Sequence, residues 1–194
     1  MVQSIVCVLL AATAVGFLMA VASGLHVDRP LPAFVSALNR GDRAALSELL
    51  TPDGEPWLTH SGWLIATEAE LFLNACDTDT DGLVTCEVHF GDRWFYNRAA
   101  PPRQGHLVTS LTVEVIDEHL RVADWPMPAG LDTVEESFRL WVLQAHPDLA
   151  EFMWDMAPTG QGTRFQMRID SAGGEAHMGL LEEYLRYLTL RGQG

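Results

Sequence analysis

Residues 107–125 read LVTSLTVEVIDEHLRVADW. Leu107, Thr109, Leu111, Val113 and Val115 alternate with Val108, Ser110, Thr112 and Glu114. A period of two along a β-branched run is the pattern of a strand with one buried face. Asp117 and Glu118 supply the turn, and Leu120 to Trp125 returns as the second strand of a hairpin. An isolated hairpin is marginal in water, so further strands and a covering layer are expected. Apolar helices written on either side of this ribbon are the candidates for that layer.

Working back from the ribbon, Pro30 to Leu38 predicts a helix with Leu31, Phe34, Val35 and Leu38 on one face. Gly41 ends it, since a left-handed residue after a helix suits glycine. Asp42 caps a second helix that turns Ala45, Leu46, Leu49 and Leu50 inward. Thr51-Pro52-Asp53-Gly54 is a turn. Trp57 to Ile65 is expected to hold a short strand broken at Ser61-Gly62. Thr67-Glu68-Ala69-Glu70 has the spacing of a capping box and predicts a third helix through Ala75. Val84, Cys86, Val88 and Phe90 alternate with polar residues as a strand, which Trp94-Phe95-Tyr96 continues beyond a kink at Gly91. Pro101, Pro102 and Gly105 mark a loop.

Beyond the ribbon the chain reads as mainly helical. Asp132 or Thr133 caps a helix carrying Val134, Phe138, Trp141, Val142 and Ala145, which His146-Pro147 interrupts. Leu149, Phe152, Met153 and Met156 continue at helical spacing, and Gly160 and Gly162 fall in a loop. Thr163 to Asp170 alternates as a strand, and Leu180, Leu181, Tyr184, Leu185 and Leu188 form a last amphipathic helix. The order of elements is an α+β plan. The expected organisation is a leader over residues 1–24, an α+β unit over 25–128, and a helical extension over 129–194 packed on the same unit.

Ile5 to Ala22 is almost wholly apolar, and no charged side chain precedes Asp28. Ala20-x-Ala22 fits a signal-peptidase site, with a mature chain beginning at Ser23. The run is also long enough to stay as a membrane anchor. Either outcome places residues 25–194 outside the cytoplasm. With Cys7 in the leader, Cys76 and Cys86 remain as a pair ten residues apart, and in an exported domain such a pair is expected to form a disulfide. The formal charge of −14, from 26 acidic and 12 basic residues, argues against charge-driven binding of nucleic acid or of an anionic membrane surface.

Segments in this order carry a resemblance. FVSALNRGDRAALSELLTPDGEPW, residues 34–57, resembles the opening of nuclear transport factor 2-like and SnoaL-like proteins, and TVEVIDEHLRVADWP, residues 112–126, resembles their later strands. CDTDTDGLVTCEVHFGDRWF and FRLWVLQAHPDLAEFMW are similar to a bacterial subgroup with a paired cysteine at this point. The resemblance implies a cone-shaped, curved antiparallel sheet covered by N-terminal helices, with a pocket between them. It does not imply one activity. Folds of this kind dimerise through the outer face of the sheet, which leaves a homodimer open.

Candidate pocket residues on that reading are Trp57, Trp63, Trp94, Tyr96 and Trp125. His60, His89 and Asp124 are the candidate general bases. The steroid-isomerase members place a Tyr on the first helix, where this chain has AFVSALN, and an acid where it has Thr59 and His60. Asp77, Asp79, Asp81 and Gly82 match the opening of a calcium loop, but the twelfth position is Val88 where a bidentate Glu is required. The simpler reading is an acidic turn without a metal; the alternative is a weak calcium site filled from a millimolar extracellular pool. No nucleotide, zinc-peptidase or serine-hydrolase motif occurs. The expected function is therefore an exported, non-catalytic domain that binds a small apolar ligand or a protein partner. Its rivals are a small-molecule isomerase, dehydratase or hydrolase, and a structural subunit of a membrane assembly.

Overall fold

A computed structural model describes residues 30–100, 106–159 and 162–192. The leader with its two fates, the loop at Pro101 to Gly105 and Gly160 lie outside the described residues. Among those described, no helix is long and apolar enough to cross a membrane.

The ribbon forms as its alternation requires. Strands β3 (Val108–Ile116) and β4 (His119–Asp124) pair antiparallel, with Val115 opposite Leu120 and Val113 opposite Val122. Asp117 and Glu118 both have left-handed backbone, φ 48° and 68°, the requirement of a two-residue hairpin turn whose twist matches its strands. Thr109, Leu111 and Val113 face inward and are buried. β1 (Leu71–Thr78) and β2 (Val84–Phe90) extend this to one antiparallel sheet in the order β1-β2-β3-β4. Val84, Cys86, Val88 and Phe90 supply the buried face of β2.

Helices α1 (Pro30–Asn39) and α2 (Arg43–Leu49) pack on this sheet, α1 against β1 and β4 and α2 against β4. Gly41 turns the chain between them at φ 69°, and the Asp42 carboxylate accepts from the Ala45 N–H at 3.1 Å. Leu31, Phe34, Leu38 and Leu46 are buried beneath them. Leu50 bridges to Leu120 in parallel, and the Thr51 N–H donates to the Leu120 carbonyl at 3.0 Å. This covers part of the open edge of β4, a place where an unpaired ladder invites another chain.

Several local expectations fail. Residues 57–65 are not a strand but part of helix α3 (Glu55–Ala66), which has Pro56 in its first turn. The apparent alternation there is too short to separate the two periods: Trp57, His60 and Leu64 also share a helical face. Residues 67–75 do not open a helix. Thr67 instead ends α3, its hydroxyl donating to the carbonyls of Trp63 and Leu64. Glu68 then reverses the chain at φ 56°, and β1 begins. The Asn39 side chain holds Leu71 at two points, donating to its carbonyl at 2.9 Å and accepting from its N–H at 2.8 Å. Pairing with β2 outweighs the capping-box spacing. Trp94 to Tyr96 does not extend β2; Phe95–Ala99 is a short helix, α4.

In the C-terminal third, α5 (Leu131–Ala145) begins after Gly130 at φ 86°, one to two residues before the expected caps. After His146 a 3-10 turn (Pro147–Leu149) and α6 (Ala150–Met153) follow, but Met156 lies on a strand. β5 (Trp154–Thr159) pairs with β6 (Gly162–Met167) as a separate hairpin. α7 (Ser171–Arg191) packs on α3 and α4.

The α3–α7 contact depends on small residues. A Cβ on Gly174 would stand 2.7 Å from the Ala66 Cβ and 3.1 Å from the Trp63 carbonyl. Gly179, in the same helix, has nothing within 4 Å of that position. Gly-to-Ala in a helix interior ordinarily stabilises by about 1 kcal/mol. Gly179→Ala should follow that rule in a urea titration. Gly174→Ala should reverse it and destabilise by about 1–3 kcal/mol, because the helices must separate to admit the methyl group.

Candidate functional site

The aromatic residues singled out from the sequence come together. Trp57 stacks on Trp125 with ring centroids 6.4 Å apart, and His60 lies 4.9 Å from Trp125. His60 continues to Trp63 at 5.6 Å, and Trp63 to Trp94 and Tyr96 at 6.2 and 5.6 Å. This chain of rings runs between α3, α4 and the end of the main sheet. Its members fill space against one another: Trp63, Trp94 and Tyr96 are fully buried, and Trp94 Nε1 donates to the Thr67 hydroxyl at 3.1 Å.

The three candidate bases are held differently. His60 sits within the ring cluster, and burial lowers its pKa from the ordinary 6.5 to about 4. His89 lies 2.5 Å from Glu87 among exposed side chains of the main sheet. Asn74 and His89 together hold the Glu87 carboxyl below the usual range. Asp124 is exposed at the end of β4 although Trp125 beside it is buried. The structure therefore places an imidazole among rings, a solvent-exposed imidazole beside a carboxylate, and a surface carboxylate.

Cys76 and Cys86 form a disulfide across β1 and β2, at paired positions with Cα atoms 4.0 Å apart. In the adjoining turn one Asp79 carboxylate oxygen accepts from the N–H groups of Asp81 and Leu83, each at 2.9 Å. That geometry uses Asp79 to build the turn. Among the described residues no group of three or more His, Cys, Asp or Glu is arranged to hold a metal ion.

A second constellation has no counterpart among the residues singled out from the sequence. Glu135, on α5, turns its carboxylate into the interior. Tyr96 donates to it at 2.8 Å, Trp154 Nε1 also donates, and His177 Nε2 lies 3.4 Å away. His177 is completely buried among Phe95, Phe138 and Trp154. Its Nδ1 is 2.7 Å from the Gly173 carbonyl, which only accepts, so Nδ1 carries a proton. The other nitrogen then offers Glu135 a donor only in the imidazolium form. Burial pushes the Glu135 pKa up, but His177, Tyr96 and Trp154 outweigh it and hold the group below its ordinary 4.5. Burial, and then the neighbouring carboxylate, keep the Tyr96 phenol protonated far above neutrality.

Glu135 also lines a cleft of about 430 Å³ between α5 and the β5–β6 hairpin. Met127, Leu131, Trp154, Phe165, Met167 and Ile169 form its apolar wall, and Asp132, Glu136, Arg139 and Gln166 complete it. The Arg139 guanidinium lies over the Phe165 ring, 4.7 Å from its centroid. Arg139 Nε is buried and, among the described residues, has no hydrogen-bond partner. The size and mixture suit a small-molecule site.

No protein-family model matches the chain, and neither the curated proteins nor the solved structures yield a match.

Removing one partner from a buried ionic group leaves the others uncompensated. Glu135→Gln should therefore lower stability by about 3 kcal/mol in urea. Glu136→Gln, exposed on the next position, should stay within about 0.5 kcal/mol. His60 adds a pH dependence. The unfolded imidazole takes a proton near 6.5, the folded one not until about 4. Between these values the unfolded state binds more protons, so stability falls as pH drops. The loss should reach up to about 3 kcal/mol by pH 4, and His60→Gln should flatten that limb of the urea-midpoint profile.

Proposed function

We propose that this chain is an exported binding domain that holds a small, largely apolar molecule in the cleft beside Glu135 without transforming it. The observation that carries the reading is the state of that carboxylate. Tyr96, Trp154 and His177 surround it, so it is committed as a fixed charge rather than poised to take a proton. Around it stands an apolar wall with one stacked guanidinium, the composition of a recognition site. The catalytic alternative requires two of His60, His89 and Asp124 to converge on one point. The exposure of His89 and Asp124 and the enclosure of His60 among rings weigh against it.

Two broader parts of the proposal have separate support. Export is supported by the disulfide, which is compatible with an extracellular location, and by the apolar leader. A nuclear transport factor 2-like cone is supported by three helices that precede an antiparallel sheet, the first two of them packed on it. On this reading the ligand occupies the flank formed with the C-terminal segment, while the residues expected to line the cone pack against one another.

A fragment screen read by backbone amide chemical shifts tests the proposal. Apolar fragments should move the signals of Leu131, Glu135, Trp154, Phe165 and Met167 as one group. Shifts confined to Trp57, His60 and Trp125 would return the ligand to the cone, and no saturable shifts anywhere would remove the binding function.

A further inference from the structure

The charges along the cleft narrow the chemistry of its occupant. Asp132, Glu135, Glu136 and Arg139 are spaced three and four residues apart on α5, so they share a face of that helix. Glu135 and Arg139 have the i, i+4 spacing at which the two side chains ordinarily pair. They do not pair here, because Glu135 is drawn inward by Tyr96, Trp154 and His177. Arg139 is instead laid over Phe165 and, among the described residues, has no ion pair. Its buried Nε has no partner either, and a buried donor left unsatisfied is unfavourable. A guanidinium held flat with donors to spare is a ready receptor for a carboxylate, which it can bind with two parallel hydrogen bonds.

The rest of the face carries the opposite sign. Asp132 and Glu136 are exposed, line the same cleft, and have no ion pair among the described residues. A simple anion drawn to Arg139 would be repelled by both and by the acidic chain as a whole. A simple cation would be opposed by Arg139, which already covers the Phe165 ring. A molecule with both charges meets neither objection. Resting on the binding function proposed above, we infer that the cleft takes a small zwitterion with an apolar body, such as an apolar amino acid. Its carboxylate sits on Arg139, its ammonium group faces Asp132 and Glu136, and its apolar part lies along Leu131, Met167 and Ile169.

Calorimetric titration of the full exported chain with leucine, methionine and phenylalanine, each beside its N-acetyl derivative and its amide, tests this. The N-acetyl compounds lack the positive charge and the amides lack the negative one. At least one free amino acid should bind, and loss of either charge should weaken binding about tenfold or more. Arg139→Gln should abolish the preference for acid over amide. Glu136→Gln, at an exposed position, should reduce the preference for free amine over N-acetyl without altering thermal stability. Equal affinity for charged and neutralised forms would overturn the zwitterion while leaving the cleft as a binding site. The zwitterion is overturned in the same way if none of the three amino acids binds although apolar fragments occupy the cleft. Failure of the fragments as well would remove both inferences.

Discussion

A carboxylate drawn into a protein interior must find donors; Glu135 finds two of them, Tyr96 and Trp154, and packs against the His177 ring, so that three other elements meet on it. Tyr96 comes from α4, Trp154 from the start of β5 and His177 from α7. Taking such a charge out of water costs several kcal/mol unless geometry restores what hydration supplied. The four elements are thus constrained to one arrangement, which joins the C-terminal segment to the helices that precede the ribbon. A purely apolar contact would tolerate sliding; a carboxylate with directional partners does not. The same constraint leaves Arg139 without its natural neighbour on the helix and so sets the charge pattern of the cleft.

The main sheet is legible in the sequence because its signal is local and repeated. Leu107 to Val115 alternates over nine residues, and Val84 to Phe90 over seven, longer than chance readily produces. The first two helices are legible through their punctuation, with Gly41 and Asp42 between two apolar stripes. The disulfide follows from the arithmetic of two remaining cysteines. Between Trp57 and Tyr96 the local signals are weak and tertiary partners decide the outcome. Thr67 has the spacing of a helix start and instead ends a helix, because the chain after it pairs with β2 and is held by Asn39. Ser61 and Gly62 look like a break in a strand, although both sit buried in α3. A Cβ at Gly62 would come 2.7 Å from the Ser171 hydroxyl oxygen on α7.

The candidate site is legible only in part. The five aromatic residues do belong together, since one ring contact leads to the next from Trp57 to Tyr96. What the sequence does not supply is whether that group encloses space or fills it. The cleft beside Glu135 depends on contacts between residues up to 81 positions apart, as with Tyr96 and His177. A usable signal is nevertheless present. His177 stands three, four and seven residues before Leu180, Leu181 and Tyr184, on the buried stripe of α7, and Glu135 flanks the stripe of Val134 and Phe138. A titratable side chain on or beside each of two apolar stripes is a hint that the two meet.

The packing of the C-terminal segment and the charge pattern of the cleft both require Glu135 to be an ionised group held inside the protein by fixed donors. Titration of its side-chain carboxyl carbon by nuclear magnetic resonance, in isotopically labelled protein, reads that state without an intermediary. The carboxylate should be ionised throughout the neutral range, with a midpoint below the ordinary 4.5. A midpoint above that value, as burial without effective donors would produce, would contradict it.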